Sequence, residues 1–279
     1  MHMLNPLEIS DAEQLARRIR AQIIALSCRA KTPHLASALS CVDLLTTAYW
    51  NVIDPDPIRE MRPDRDRFIF SKGHAAPALY VSLAFRGIIP EALLEHYCEP
   101  GSPLSEQPTP HAVAGLEAAT GSLGHGLPMG VGMALGAKIQ GLPTHVFVLM
   151  SDGECNEGSV WEAAMLAPAQ NLSNLMVMVD FNKWQATGRS REVLALDPLK
   201  AKFEAFGWQA FEVDGHDIGT LTQLMRDFRS GKFDRPVALI AHTVKGKGVS
   251  FMEDDNNWHY RIPKPEELER ALQELGVSL

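Results

Sequence analysis

A chain of 279 residues is long enough to bury a sizeable core as one large domain, and nothing in it reads as a linker. Its 46% hydrophobic and 22% charged residues exclude a disordered chain, and a net charge of -8 without a long block of one sign argues against nucleic acid as a partner. Four isolated cysteines without Cys-x-x-Cys spacing disfavour a zinc site or a disulfide framework, no apolar segment has bilayer length and the N-terminus lacks an export signal, so a soluble cytoplasmic protein is expected.

Ser10 and Glu13 form a capping-box pattern ahead of LARRIRAQIIALSCRA, predicting a first helix that runs to about Lys31 and is broken by Thr32-Pro33. A second helix is expected over SALSCVDLLTTAYW, ending near Asn51, followed by a polar loop and a short strand, RFIF. SKGHAAPALYVSLAFRG turns from loop to helix, and PEALLEHYCE reads as a short helix opened by Pro90. A Pro-, Ser- and Thr-rich loop covers Pro100 to Pro110.

From there helix and strand alternate. HGLPMGVGMALGAKIQG, GSVWEAAMLAPAQ, PLKAKFEAFG and DIGTLTQLMRDFRSG carry helical spacing, whereas HVFVLM, LMVMVD, WQAFEVD and PVALIAHT have strand length. Strands apolar on both faces and separated by helices predict the α/β class, a parallel sheet covered by helices on both sides.

In such sheets ligands sit beyond the carboxyl ends of the strands. SDGECNEG lies at one such end, where Gly153 permits close backbone approach and the helix opening near Gly158 offers free amides to an anion. An Asp-Gly after a strand is by itself an ordinary turn. Asn182 ends the next predicted strand, however, so that Asp152, the Asn182 amide oxygen and a main-chain carbonyl near Trp184 make an oxygen set suited to Mg²⁺ holding a diphosphate.

SDGECNEGSVWEA through VDFNKWQATG closely resembles the thiamine-diphosphate motif of transketolases, Gly-Asp-Gly followed by Asn, with Ser151 in place of the first glycine. SKGHAAPALY is similar to that family's Ser-x-Gly-His loop, TGSLGHGLPMGVGMALG to its Gly-rich loop, HTVKGKGVSFMEDDNNWHY to its closing segment and PHLASALSCVDLL to its first histidine loop. The matches run in order from about His34 to His259.

The resemblance implies a thiamine-diphosphate-binding fold, with Asp152, Asn182 and the Trp184 carbonyl as Mg²⁺ ligands. His74, Gly121, Leu123, Gly153, Glu154 and Asn182 match coenzyme-binding positions. His34, His74 and His259 match positions that handle hydroxyl protons or orient substrate, a role neutral imidazoles suit. Glu157 matches an acid that connects paired active sites, although an acid at a helix start also complements the helix dipole. His125 is weaker, a binding residue at most.

Two departures stand out. Gln107 aligns where the family has a substrate-contacting histidine, and it can hydrogen-bond but not shuttle a proton; His111, four residues on, is a possible substitute. Tyr260 places a large ring beside His259. The matched residues belong to one diphosphate-binding domain over 1–279, whereas a full transketolase continues into pyrimidine-binding and C-terminal domains. The expectation is therefore the N-terminal subunit of a split transketolase. It would pair with a pyrimidine-binding C-terminal subunit on a separate chain, two plus two, and transfer a two-carbon ketol unit from a ketose-like donor to an aldehyde-like acceptor. The alternatives are a 2-oxo acid decarboxylase or dehydrogenase component, or a coenzyme-binding subunit without catalysis.

Overall fold

The computed structural model describes residues 5–279. In chain order its helices are α1 (Ile9–Ala30), α2 (Leu35–Ser40), α3 (Val42–Thr46) and α4 (Pro55–Arg59), then α5 (Ala76–Phe85), α6 (Gly126–Gln140) and α7 (Gly158–Ala169). They continue with α8 (Ser190–Val193), α9 (Leu199–Ala205), α10 (Ile218–Arg229) and α11 (Pro265–Leu275). The strands are β1 (Arg67–Phe70), β2 (Val146–Ser151), β3 (Leu175–Phe181), β4 (Gln209–Asp214) and β5 (Val237–His242). All pair in parallel, in the order β1-β2-β3-β5-β4.

The period of two along each strand divides the core. Phe68, Phe70, Phe147, Leu149, Met176, Met178 and Leu239 pack with α1, α2, α3, α5 and α10 on one face. Ile69, Val148, Met150, Val177, Val179 and Ile240 pack with α6, α7 and α9 on the other. β2 and β3 are buried along their whole length, as continuous apolar runs require in a sheet covered twice. β4 differs from the expectation: as an edge strand it leaves Phe211, Val213 and the acids Glu212 and Asp214 partly or fully exposed.

Two boundary expectations need correction. No capping box forms at Ser10: α1 already starts at Ile9 with Glu8 at its N-cap, and the incoming chain is held instead by the Leu7 amide donating to Asn51 Oδ1 at 2.9 Å. The second helix is interrupted at Cys41 and closes in a π-helical turn, Thr47–Val52. The Ser37 carbonyl, which a continuous helix would use for its own ladder, accepts from Lys72 Nζ at 2.8 Å and from Ser40 Oγ at 3.0 Å.

Candidate active site

At the carboxyl edge of the sheet a cleft of about 540 Å³ opens. Its walls include His34, Ser37, His74, Gln107, His259 and Tyr260, and its other side is formed by Gly121, Leu123, Gly153, Glu157, Asn182 and Trp184. Segments far apart in sequence thus converge where a parallel sheet leaves room for a ligand.

Backbone contact builds the cleft. A Cβ on Gly73 would lie 2.5 Å from the Gly121 amide nitrogen, so the loop after β1 and the Gly-rich loop touch main chain to main chain. Gly121 has φ +121, and a Cβ there would overlap the Gln107 amide. Glu154 fastens the same loops from behind, accepting hydrogen bonds from Ser71 Oγ and, at 2.9 Å, from the Gly124 amide. It is fully buried and absent from the cleft lining, and its other oxygen, Oε2, has no protein partner.

The three histidines meet. Ring centroids are 5.3 Å apart for His34 and His74, 5.1 Å for His34 and His259, and 6.2 Å for His74 and His259. His34 caps α2 with φ +66, a backbone uncommon outside glycine, held in place by its amide donating to the His259 carbonyl at 2.8 Å. Burial lowers all three imidazole pKa values, that of His34 against the Glu106 carboxylate, that of His74 well below the usual range and that of His259 to about 3, with the Lys245 ammonium adding to the effect on each. All three are neutral at pH 7.

Below the cleft, Asp152 is inaccessible to solvent. Its Oδ2 accepts from the Lys183 amide at 3.0 Å and from Ser190 Oγ at 2.6 Å, while Oδ1 is buried without a protein partner. Burial, reinforced by nearby Asp180, pushes its pKa up to about 7, against the Ser190 hydrogen bond. A buried carboxylate with an unused oxygen and a raised pKa fits a site completed by a cation. Among the described residues no three His, Cys, Asp or Glu side chains cluster for a metal, so a cation here would rely on Asp152 with neutral oxygens. Asn182, 3% exposed, directs Nδ2 to Asp180 and has its Oδ1 engaged by the Trp184 amide at 3.1 Å. Trp184 is locked by its indole N–H donating to Asp254 at 2.8 Å and by the Arg189 guanidinium 3.8 Å over its ring.

Of the remaining expected residues, Glu157 lines the cleft as the exposed N-cap of α7, and its Cβ packs against Gly124. Gln107 lines it too. His111 does not and is no substitute for it: with φ +60 and its amide bonded to the Leu116 carbonyl, it turns into a separate pocket beside Arg67 and Glu117. His125 is exposed and bonds only to its own loop carbonyls.

Sequence reasoning missed the charged layer underneath. Lys72 and Asp180 pair without solvent access, and Asp180 also accepts from Ser40 Oγ at 2.7 Å and from Thr243 Oγ1. Lys245, equally buried, donates to Asn256 Oδ1 at 2.7 Å and to His259 Nδ1 at 2.8 Å. Asp180, a charge closing an otherwise apolar strand, was the available signal. Ser37 and Gln185, also cleft residues, carried none.

Residues 11–278 match the family model described as transketolase, thiamine diphosphate binding domain. The chain is 40% identical over 275 residues to one of the subunits of the apulose-4-phosphate transketolase of Actinobacillus succinogenes, covering 98% of this chain and 99% of that one. It is 37% identical over 220 residues to a 6-deoxy-6-sulfo-D-fructose transketolase subunit of a Clostridium species, covering 79% and 80%. Among solved structures, the transketolase of Campylobacter jejuni superposes with a TM-score of 0.90 at 26% identity, over 98% of this chain. The chain spans 44% of the length of that solved transketolase.

Proposed function

The chain belongs to the transketolase family, whose thiamine diphosphate binding domain it carries, and on that premise we propose that it is the N-terminal component of a two-chain transketolase. The proposed reaction moves a two-carbon ketol unit from a ketose-like donor to an aldehyde-like acceptor. The observation that carries the reading is the buried, unpartnered Oδ1 of Asp152 beneath a cleft walled by three neutral histidines.

The residues present fit the implied groups. Asp152, Asn182 and the Trp184 carbonyl would hold Mg²⁺ as a hard oxygen set, and His74, Gly121, Leu123 and Gly153 would line the coenzyme. When bound, thiamine diphosphate supplies the electron sink that such carbon–carbon chemistry needs. The protein's share is proton handling and orientation. His34 and His74, uncharged near neutral pH, would exchange protons with substrate hydroxyls, and His259, whose Nδ1 accepts from Lys245, would orient the substrate by donating a hydrogen bond. Gln107 would hydrogen-bond the substrate without changing charge, and Tyr260, 61% exposed with its ring 4.6 Å from that of His259, would narrow the mouth. The substrates would be small modified sugars of the kind named for the relatives.

The pyrimidine-binding and C-terminal domains would come from a second chain, two copies of each chain assembling in the cytoplasm. Relatives of the same length that are named as single subunits of a transketolase support a separate partner. Glu157, exposed at the cleft edge, would reach toward the other half.

The test is to co-purify the tagged chain from its source cell, assay the assembly with ketose donors and aldehyde acceptors, and repeat with Asp152→Ala. Ketol transfer that needs thiamine diphosphate and is lost in the variant supports the proposal. CO₂ release from 2-oxo acids with no aldose product, or full activity of Asp152→Ala, would overturn it.

A further inference from the structure

Outside the cleft, Arg20, Asp43 and His216 form a second titratable cluster, brought together from α1, α3 and the turn after β4. Arg20 donates to both Asp43 oxygens, at 3.1 and 2.6 Å, and both side chains are nearly inaccessible to solvent. The guanidinium and the His216 hydrogen bond hold the Asp43 carboxyl at a pKa of about 2 against its burial, so it is an anion throughout the neutral range. An anion can only accept. His216 Nδ1, 2.6 Å from Asp43 Oδ2, must therefore carry the proton.

The other ring nitrogen is equally determined. The Val244 amide donates to His216 Nε2 at 3.0 Å, which requires a free lone pair there. With both nitrogens committed to these partners, the orientation of the ring is fixed. The turn that presents it is also closely fitted: the His216 amide donates to Asp214 Oδ1 at 2.9 Å, and a Cβ on Gly215 would lie 2.4 Å from Thr243 Cγ2.

Val244 immediately precedes Lys245, the residue that donates to His259 Nδ1. We infer that His216 is a positioning residue for the cleft: clamped by Asp43, it sets the Val244 amide and thereby aims Lys245 at His259. In this arrangement His259 receives at Nδ1 and bears its hydrogen on Nε2. The chain Arg20–Asp43–His216–Val244–Lys245–His259 thus fixes which nitrogen of His259 can donate a hydrogen bond into the cleft. Other bonds also hold this loop: the Gly246 amide to the Ala36 carbonyl, Thr243 to Asp180 and to the Phe181 carbonyl, the Lys247 amide to the Val244 carbonyl, the Asp254 amide to the Lys245 carbonyl and Lys245 Nζ to Asn256, but none of these engages the Val244 amide.

The inference rests on reading His259 as a cleft residue of the proposed reaction, and its test reads imidazole spectra, so failure of one can be told from failure of the other. The full chain, ¹⁵N-labelled in histidine, is examined by long-range ¹H–¹⁵N NMR, with His259→Gln used only for assignment. Wild type should show His216 protonated at Nδ1 and His259 protonated at Nε2. His216→Asn keeps a donor near Asp43 but cannot reach Val244, and should raise the His259 pKa by about one unit or more as the Lys245 contact loosens. His216→Gln, long enough to accept from Val244, should stay closer to wild type. A wild-type His216 protonated at Nε2 would overturn the inference whether or not the variants fold. So would a His216→Asn protein that melts lower while His259 titrates as before, since that would make the role merely structural.

Discussion

Lys72 and Asp180, 108 residues apart in sequence, form an ion pair that water does not reach, directly below the strand ends that carry the cleft. Lys72 also holds the Ser37 carbonyl, and Asp180 also holds Ser40, Thr243 and Asn182. One pair therefore fastens α2, the loop after β1, the end of β3 and the loop after β5. Removing either partner strands the other charge, which costs more than the pair itself contributes. Lys72→Met should lower stability by about 3–5 kcal/mol, read from the urea midpoint. A loss below about 1 kcal/mol would mean that water or a proton satisfies Asp180 once Lys72 is gone.

The contact between the two glycine-bearing loops predicts an asymmetric pair of mutants. In Gly73→Ala the new methyl meets backbone at 2.5 Å and can be relieved only by parting the loops, so stability should fall by about 1–3 kcal/mol or more. In Gly121→Ala the methyl meets the Gln107 side chain, which can swing away, although φ +121 adds strain. Gly121→Ala should thus remain better folded yet change substrate preference through Gln107. Thermal melts together with acceptor screening of the assembled enzyme would check both; equal destabilisation without altered preference would contradict the assignment.

Most of the sheet was legible because β2, β3 and β5 are continuous apolar runs, and a run of that length buried on both faces has few other destinations. The site was legible where a polar residue closes such a run, as Asp152 and Asn182 do. What escaped depends on contacts between distant segments. The break at Cys41 follows from Lys72 reaching the Ser37 carbonyl, which no local pattern in α2 encodes. His111 turns away because of one positive φ in a proline-bounded loop, and sequence spacing alone cannot give its direction. Glu154 stands next to Gly153 in the motif, yet the 3₁₀ turn at Gly153–Asn156 buries it behind the cleft.

Asp152→Asn should separate folding from coenzyme binding. The carboxylate is buried with one unpartnered oxygen and its folded pKa, about 7, lies above the ordinary 3.8. Between those values the folded state holds the proton more tightly, so without a cation ionising Asp152 subtracts stability as pH rises through the window. An amide can still accept from the Lys183 amide and Ser190. The metal-free variant should therefore melt no lower than wild type at pH 8, while losing the Mg²⁺-dependent shift produced by thiamine diphosphate. A variant that melts lower but keeps that shift would place the cation elsewhere.

The Lys245–His259 contact predicts how the cleft responds to pH. The His259 pKa lies near 3, lowered first by burial and then by Lys245, so this imidazole should show no inflection between pH 5 and 8. Its contribution to stability is fully present above the unfolded value of 6.5 and is lost as pH falls toward 3, because only the unfolded chain takes up the proton in that interval. Lys245, lowered by burial and by Lys72 from 10.5 to about 8, acts over a different range. Between pH 8 and 10.5 the unfolded chain keeps the proton that the folded one has released, so the Lys245 contribution rises with pH there. The hydrogen bond to His259 meanwhile loses its charged donor above about pH 8. Activity of the assembled enzyme should accordingly fall on an alkaline limb near pH 8, and Lys245→Arg, whose guanidinium stays charged, should move that limb upward. Lys245→Met should abolish the limb, reduce activity throughout and raise the His259 pKa, since the cation that depressed it is gone. An alkaline limb unchanged in both variants would show that another group sets it and that Lys245 does not govern the cleft histidine.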